Sequence, residues 1–211
     1  ALRDGRKSRF KSQFNVVHVD ESWFFLTQEK KYVTTYPGDP LPEPERVQHK
    51  SHIKKILFIT AVARPRPEDH FDGKIFLGRI QELYEAKKRS VNHQRGDLYL
   101  RDCNITAAIW YTYMVDILSE IKVKMAKFKG EEIIVQFDNA GPQTGEGNGR
   151  ELNGLGSERG WKVKFQVQPA QSPDFNINDL GFFSSLKSQV NLIKNEAKTA
   201  DEFEQKIREA W

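Results

Sequence analysis

The 211-residue chain has a single cysteine, Cys103, and therefore no internal disulfide and no multi-cysteine zinc site. A lone thiol fits a reducing compartment, and Cys103 reads as a small buried residue rather than a nucleophile. No run of about 18 apolar residues occurs, so no membrane span is expected. The first residues, Ala1-Leu2-Arg3-Asp4-Gly5-Arg6-Lys7, hold no apolar signal core, and the absence of an initial Met is expected of a piece of a longer protein. Charge of one sign does not dominate: 33 Lys and Arg stand against 29 Asp and Glu, a net +4. What basic excess there is falls in clusters, at Arg3–Lys11, at Lys87-Lys88-Arg89 and at Lys122–Lys129, which suits a polyanionic partner or ordinary solvated faces equally. Three basic residues in a row are too few for a nuclear-import signal. The 14 Phe and the overall 38% hydrophobic content place the chain among globular domains large enough to bury a core.

Residues 1–13 read as a basic linker or arm, and residues 14–211 as one domain. Phe14–Leu26, rich in β-branched and aromatic side chains, predicts a strand, with Glu29–Thr35 as a hairpin partner. Pro37, Pro40, Pro42 and Pro44 exclude regular structure from Tyr36 to His52 and predict a long loop. The continuous apolar run Lys54–Ala63 predicts a strand buried on both faces, and Lys74–Glu85 one or two more. Ile109, Tyr113, Ile117, Ile121 and Met125 recur at helical spacing behind Thr106 as a cap. Ile133–Phe137 and Trp161–Val167 predict further strands, expected with Lys54–Ala63 at the sheet centre. Asn178–Lys194 and Asp201–Trp211 predict helices. Gly141, Gly145, Gly147, Gly149, Gly154, Gly156 and Gly160 predict a loop between the last two strands. Their spacing lacks the strand-to-helix setting and the Lys-Ser/Thr of a nucleotide loop. The order of elements is that of an α/β domain with helices on both faces of a sheet.

Three aspartates stand at chemically useful places. Asp20 follows Val16-Val17-His18-Val19, Asp138 closes Ile133–Phe137, and Asp179 opens the helix after the last strand. Each alone is explicable as a strand end, a turn residue or a helix N-terminal charge. Brought to one sheet edge, three like charges raise each other's pKa, and a hard divalent cation resolves the conflict. Two such ions can activate a water or a 3′-hydroxyl and stabilise a leaving oxygen.

The segments His18-Val19-Asp20-Glu21-Ser22-Trp23-Phe24, Gln136-Phe137-Asp138-Asn139-Ala140 and Ser172-Pro173-Asp174-Phe175-Asn176-Ile177-Asn178-Asp179-Leu180-Gly181-Phe182-Phe183 resemble the three catalytic motifs of mariner-superfamily transposases of the plant or protist type. Ala61-Val62-Ala63-Arg64-Pro65 and Ala86-Lys87-Lys88-Arg89-Ser90 are similar to stretches of the plant-like branch. The resemblance runs from about Phe14 to Gln189. It implies an RNase H-like fold with a central mixed five-stranded sheet, and Asp20, Asp138 and Asp179 as catalytic carboxylates holding two Mg²⁺ or Mn²⁺ ions. It further implies cleavage at transposon ends, transfer of the 3′-OH into target DNA, and action in the nucleus. The stretch from about 28 to 52 would be a clamp-like loop reaching a partner subunit, giving a homodimer on paired terminal repeats. Lys87, Lys88, Arg89, Asn139, Gln143 and Lys187 are the candidate DNA-contacting residues. Asp174 reads as a turn residue. A metal site from His49 and His52 is not expected, and His18 reads as packing on the strand face opposite Asp20. The N-terminal DNA-binding domain of the family is absent from this stretch, so phosphate contacts and salt-sensitive binding are expected.

Two positions depart from the family pattern. Gly141 and Gln143 stand where it has Arg and His. They keep open a non-catalytic DNA-binding or oligomerising protein derived from a transposase, beside a nuclease of the same fold.

Overall fold

In a computed structural model of the chain, residues 13–26, 36, 38, 54–138, 148–169, 173–194 and 197–211 are described. A five-stranded mixed sheet has the order β3 (Lys74–Arg79), β2 (Lys55–Ala63), β1 (Val16–Phe25), β6 (Glu132–Phe137), β7 (Lys162–Val167). The pairs β1–β2 and β2–β3 are antiparallel, whereas β6 and β7 run parallel to β1. A separate two-stranded ribbon, β4 (Gln81–Glu85) with β5 (Leu98–Asp102), projects between β3 and helix α1 (Ala107–Lys124). Helices α2 (Asn148–Gly156), α3 (Phe183–Ile193) and α4 (Ala200–Ala210) complete the chain. The topology is RNase H-like, as the motifs imply.

The two-residue period of β1 divides the interior. Val17 and Val19 join Ile59, Ala61, Trp110, Met114, Ile117, Ile121 and Val135 in the core under α1. Phe24 joins Phe58, Leu186, Val190, Phe203 and Ile207 under α3 and α4 on the other face. Thr106 caps α1, its hydroxyl accepting from Ile109 N at 3.3 Å. Thr199 and Glu202 form a reciprocal capping box at α4.

Several expectations are corrected. Trp161–Val167 is an edge strand, not a central one, and Lys162 and Lys164 alternate outward along it while Val163 is buried. The place at the centre belongs to β1. Glycine-rich residues 148–156 form a helix because Leu152 is fully buried in the α1 core, and that burial outweighs the entropic cost of glycine. Gly156 is required where α2 ends, since a Cβ there would strike the Val163 carbonyl. The ribbon strand Leu98–Asp102 was not expected. The proposed hairpin partner Glu29–Thr35, the clamp-like stretch apart from Tyr36 and Gly38, and His49 and His52 lie outside the described residues. Cys103 is half-buried, and burial raises its thiol pKa.

Arg79 fastens the ribbon to the body, beside Tyr113, whose hydroxyl accepts from Gln81 N at 3.2 Å. Arg79, 9% exposed, donates from Nε and Nη2 to the Asp102 carboxylate at 2.6 and 2.7 Å, and from Nη1 to Asp201 and Glu204 of α4, each at 3.0 Å. Chiefly the Asp102 bonds raise its pKa further, so the charge is permanent. Arg79→Ala removes the shared cation and leaves three carboxylates facing each other. Because the Asp201 side chain is almost fully exposed and Asp102 partly so, the loss is expected at about 1–3 kcal/mol in urea denaturation, below the range for a fully buried broken pair. Amide exchange should rise more in 81–102 than in β1. Unchanged stability would show that solvent already screens this cluster.

Candidate active site

Asp20 lies in the middle of β1 on the α3 side of the sheet, 9% exposed, opposite Thr60 of β2. On the other flank the parallel register pairs His18 with Gln136, and the same offset carried forward brings Asp138 to the level of Asp20. Asp138 follows the last residue of β6 and is half-buried. The third segment crosses this face as a short turn, Pro173–Phe175, and a π-helical turn, Asn178–Phe182, that leads into α3. Asp179 sits exposed on the second turn.

The turns are fastened to the strands by buried amides. The fully buried Asn178 donates from Nδ2 to the His18 carbonyl at 3.1 Å, and its Oδ1 lies 3.3 Å from Thr60 Oγ1. Gln136 Nε2 donates to the Phe175 carbonyl at 2.7 Å. Asn176, 4% exposed, ties the carboxylates together. Its Nδ2 lies 2.6 Å from Asp20 Oδ2 and 3.4 Å from Asp179 Oδ2, while its Oδ1 accepts from Asn178 N at 3.1 Å. One amide nitrogen thus stands between two anionic side chains. None of these four tethering residues was singled out from the sequence. The Asn-x-Asn spacing before Asp179 was the available signal.

Burial, above all, raises the Asp20 pKa to about 7; the charges of Asp179 and, more weakly, Asp138 act in the same direction. Hydrogen bonds from Glu21 N, at 2.7 Å, and Asn176 oppose the rise without cancelling it. Lys187 of α3 is half-buried and loses basicity through desolvation, while Asp179 and Asp20 favour its charged form. It is the one candidate DNA-contacting lysine whose electrostatics couple to the carboxylates. Asp174 is exposed on the first turn and is not among the groups acting on Asp20. Lys87, Lys88 and Arg89 lie on the loop of the β4–β5 ribbon, and Asn139 and Gln143 lie outside the described residues.

His18 does not lie opposite Asp20. Residues two apart on a strand share a face, so its ring points to the same side. It is 8% exposed, held neutral by burial with a pKa near 4, and hydrogen-bonded to the Phe175 backbone. Among the described residues its buried Nδ1 has no hydrogen-bond partner, and the residue borders a recess of about 410 Å³ walled by Val62, Pro65, Ile177 and Phe182.

The donor set fits a hard divalent cation in kind and in charge: carboxylate oxygens, one of them already destabilised as an anion by its neighbours. Among the described residues, however, no three Asp, Glu, His or Cys side chains close into a metal-sized cluster. Asp20 and Asp179 share the Asn176 amide, and the charge of Asp138 acts on Asp20.

No protein-family model matches the chain, and a search of curated proteins returned no match. Solved structures share the fold. A Mos1 mariner paired-end complex with Mn superposes with a TM-score of 0.55 at 18% identity over 95% of this chain and 53% of that one. A Mos1 transposase paired-end complex with the left transposon end gives 0.54 at 17% over 94% and 52%, and a paired-end complex with Mg gives 0.53 at 20% over 95% and 53%. The chain therefore spans about half the length of these structures.

The Asp20 shift has a defined sign. With a pKa of about 7 when folded against 3.8 as the ordinary value, the folded chain keeps a proton that the unfolded chain has released between those limits. The associated stability is complete below pH 3.8 and is lost as pH rises through about 7. Asp20→Asn abolishes this dependence. It should melt above wild type at pH 8 in EDTA, and the advantage should vanish near pH 4. A variant that melts lower at both pH values would show that the Asn176–Asp20 bond outweighs the repulsion.

Proposed function

We propose that this chain is the catalytic domain of a mariner-like DNA transposase, hydrolysing phosphodiesters at transposon ends and joining the 3′-OH to target DNA in the nucleus. The observation that carries the reading is the placement of Asp20, Asp138 and Asp179 on one side of an RNase H-like sheet, with the charges of the other two bearing on a buried Asp20. The Mos1 neighbours are transposase complexes with transposon-end DNA and with Mn or Mg, which supports DNA as substrate and a divalent cofactor. Pairing of two chains on two ends is part of the same proposal.

Asp20, Asp138 and Asp179 would hold the ions, two per site. Bound there, Mg²⁺ or Mn²⁺ supplies the positive charge that makes a water or 3′-OH nucleophilic and steadies the leaving oxygen. The chain's own residues do the rest. Asn176 orients the Asp20 and Asp179 carboxylates, and Asn178, Thr60 and Gln136 keep the turns that carry Asp179 fixed against β1, β2 and β6. Burial keeps competing water from Asp20. Lys187 places a cation beside the acidic face, where it favours a phosphate.

A second reading, a transposase-derived DNA-binding protein without catalysis, is favoured by Gly141 and Gln143, where the family pattern has Arg and His. Calorimetric titration with Mg²⁺ or Mn²⁺, followed by cleavage of terminal-repeat DNA, separates the two. The catalytic reading expects saturable binding that Asp138→Asn abolishes. It also expects cleavage reduced at least about a hundred-fold in that variant, since even indirect supports of metal ligands cost 10–100-fold. Wild-type protein that binds DNA but neither takes up metal nor cuts would establish the second reading.

A further inference from the structure

A second concentration of chemistry lies on the β4–β5 ribbon and shares no residue with the carboxylate face. The ladder pairs Tyr84 with Tyr99 and Glu82 with Arg101 on one side of the ribbon. The two tyrosine rings meet edge to face at 5.7 Å, and the Arg101 guanidinium lies 3.8 Å over Tyr84. His93 folds back from the connecting loop and stacks on Tyr99 at 3.7 Å, within 6° of parallel.

That loop is built rather than slack. Ala86 N donates to the Asp97 carbonyl and Gly96 N to the Ala86 carbonyl, each at 2.9 Å. Ser90 N donates to the His93 carbonyl at 2.8 Å, and Gln94 N to Asp97 Oδ2 at 2.6 Å. The result is a recess of about 390 Å³ lined by Tyr84, Lys87, Lys88, Ser90, His93 and Arg101. Lys87, Lys88, Arg89 and Arg95 are exposed, and none forms an ion pair among the described residues. Of the nearby acids, Glu82 pairs with Arg101 and Asp97 accepts from the Gln94 amide, while Glu85 is exposed at the end of β4. Among the described residues, Lys87, Lys88, Arg89 and Arg95 thus outnumber Glu85 and Asp97 beside them.

We propose that this recess and its basic rim bind the phosphodiester backbone of a nucleic-acid strand, as a contact site separate from the carboxylates. Consecutive cations on long stems match a ligand with regularly repeated anions. Aromatic walls suit the sugars and bases attached to a phosphodiester better than the aliphatic stems of an acidic peptide. The site deepens the transposase reading, and rests on it, by giving the DNA a second anchor remote in sequence from all three motifs.

The test measures binding of the whole chain to a fluorescent duplex in EDTA, so that metal uptake and cleavage play no part. Lys87→Glu/Lys88→Glu is compared with Lys129→Glu/Lys162→Glu. The second pair changes the net charge equally but lies near the amino ends of β6 and β7. At low salt, about 50 mM, the ribbon variant should bind at least about ten-fold more weakly, with a log–log salt slope shallower by roughly 2, and the control pair should stay near wild type. Iodouracil-substituted DNA should crosslink to Tyr84, His93 or Tyr99. Inorganic phosphate should compete only weakly, and a polyglutamate peptide of equal charge less well than unlabelled DNA. Equal weakening by both pairs, crosslinks confined to other segments, or equal competition by polyglutamate would each overturn the ribbon site while leaving the transposase reading in place. A wild-type chain that binds no DNA would overturn the transposase reading and the ribbon site together.

Discussion

Everything about the candidate site follows from one constraint, a carboxylate placed in the middle of the central strand. Asp20 has Val19 on one side fully committed to the α1 core and Phe24 four residues on committed to the α3–α4 core. The strand cannot slip by a residue to expose it, because a one-residue shift would turn both sets of apolar side chains to the wrong face. The carboxylate is therefore held by the fold rather than by its own preference, and the surroundings must accommodate it. Asn176 is the accommodation. It is a neutral donor that can satisfy a buried carboxylate without adding charge, and it reaches Asp179 with the same nitrogen. A lysine in its place would form a stronger pair but would neutralise the acidic face; an apolar residue would leave Asp20 under-satisfied.

The parallel pairing of β1 with β6 and the crossing of the third segment then determine which groups meet. Asp138 arrives beside Asp20 through backbone register alone, whereas Asp179 arrives through a turn that needs Asn178, Thr60 and Gln136 to hold it down. The two neighbours differ accordingly. One is set by the sheet ladder, the most rigid part of the molecule, and the other by side-chain hydrogen bonds at the start of a helix. Motion at the site is thus expected to reside in the Asp179 segment, where the π-helical turn already departs from regular helix geometry.

Much of this was readable beforehand, and the parts that were not share a physical cause. The strands 16–25, 55–63, 74–79 and 132–137 carry strong apolar patterns, and helix α1 carries a helical one, because their positions in the fold demand burial. Trp161–Val167 looked central because it holds Trp161, Val163, Phe165 and Val167, yet only Trp161 and Val163 are buried; an edge strand with one covered face can read like an interior one when lysines alternate with aromatics. Helix α2 was hidden by its glycines, since the buried Leu152 and the half-buried Leu155 alone leave almost no periodic signal. Strand β5 was hidden because its leucines 98 and 100 face solvent, at 67% and 62% exposure, and its partner is another short strand rather than the core. The three aspartates stood out as motif residues. Asn176, which links two of them, did not, because an asparagine before a helix has an ordinary explanation as a turn former.

The electrostatics give the carboxylate face a direction of response. A buried acid whose pKa has risen to about 7 is half-protonated at neutral pH, so a cation that binds there must displace a proton as well as settle among the charges. Under the proposed function, metal affinity therefore rises with pH through that range while the intrinsic stability of the metal-free fold declines through it. The two trends have a single origin, the cost of ionising Asp20 against Asp179 and Asp138. Under that proposal the residue that destabilises the empty fold is the one that gains most from a bound cation, and the Asp179 turn is held beside it by side-chain hydrogen bonds rather than by the sheet ladder. Occupancy of the site and consolidation of the fold are on this view one coupled equilibrium, centred on the two carboxylates that Asn176 ties together.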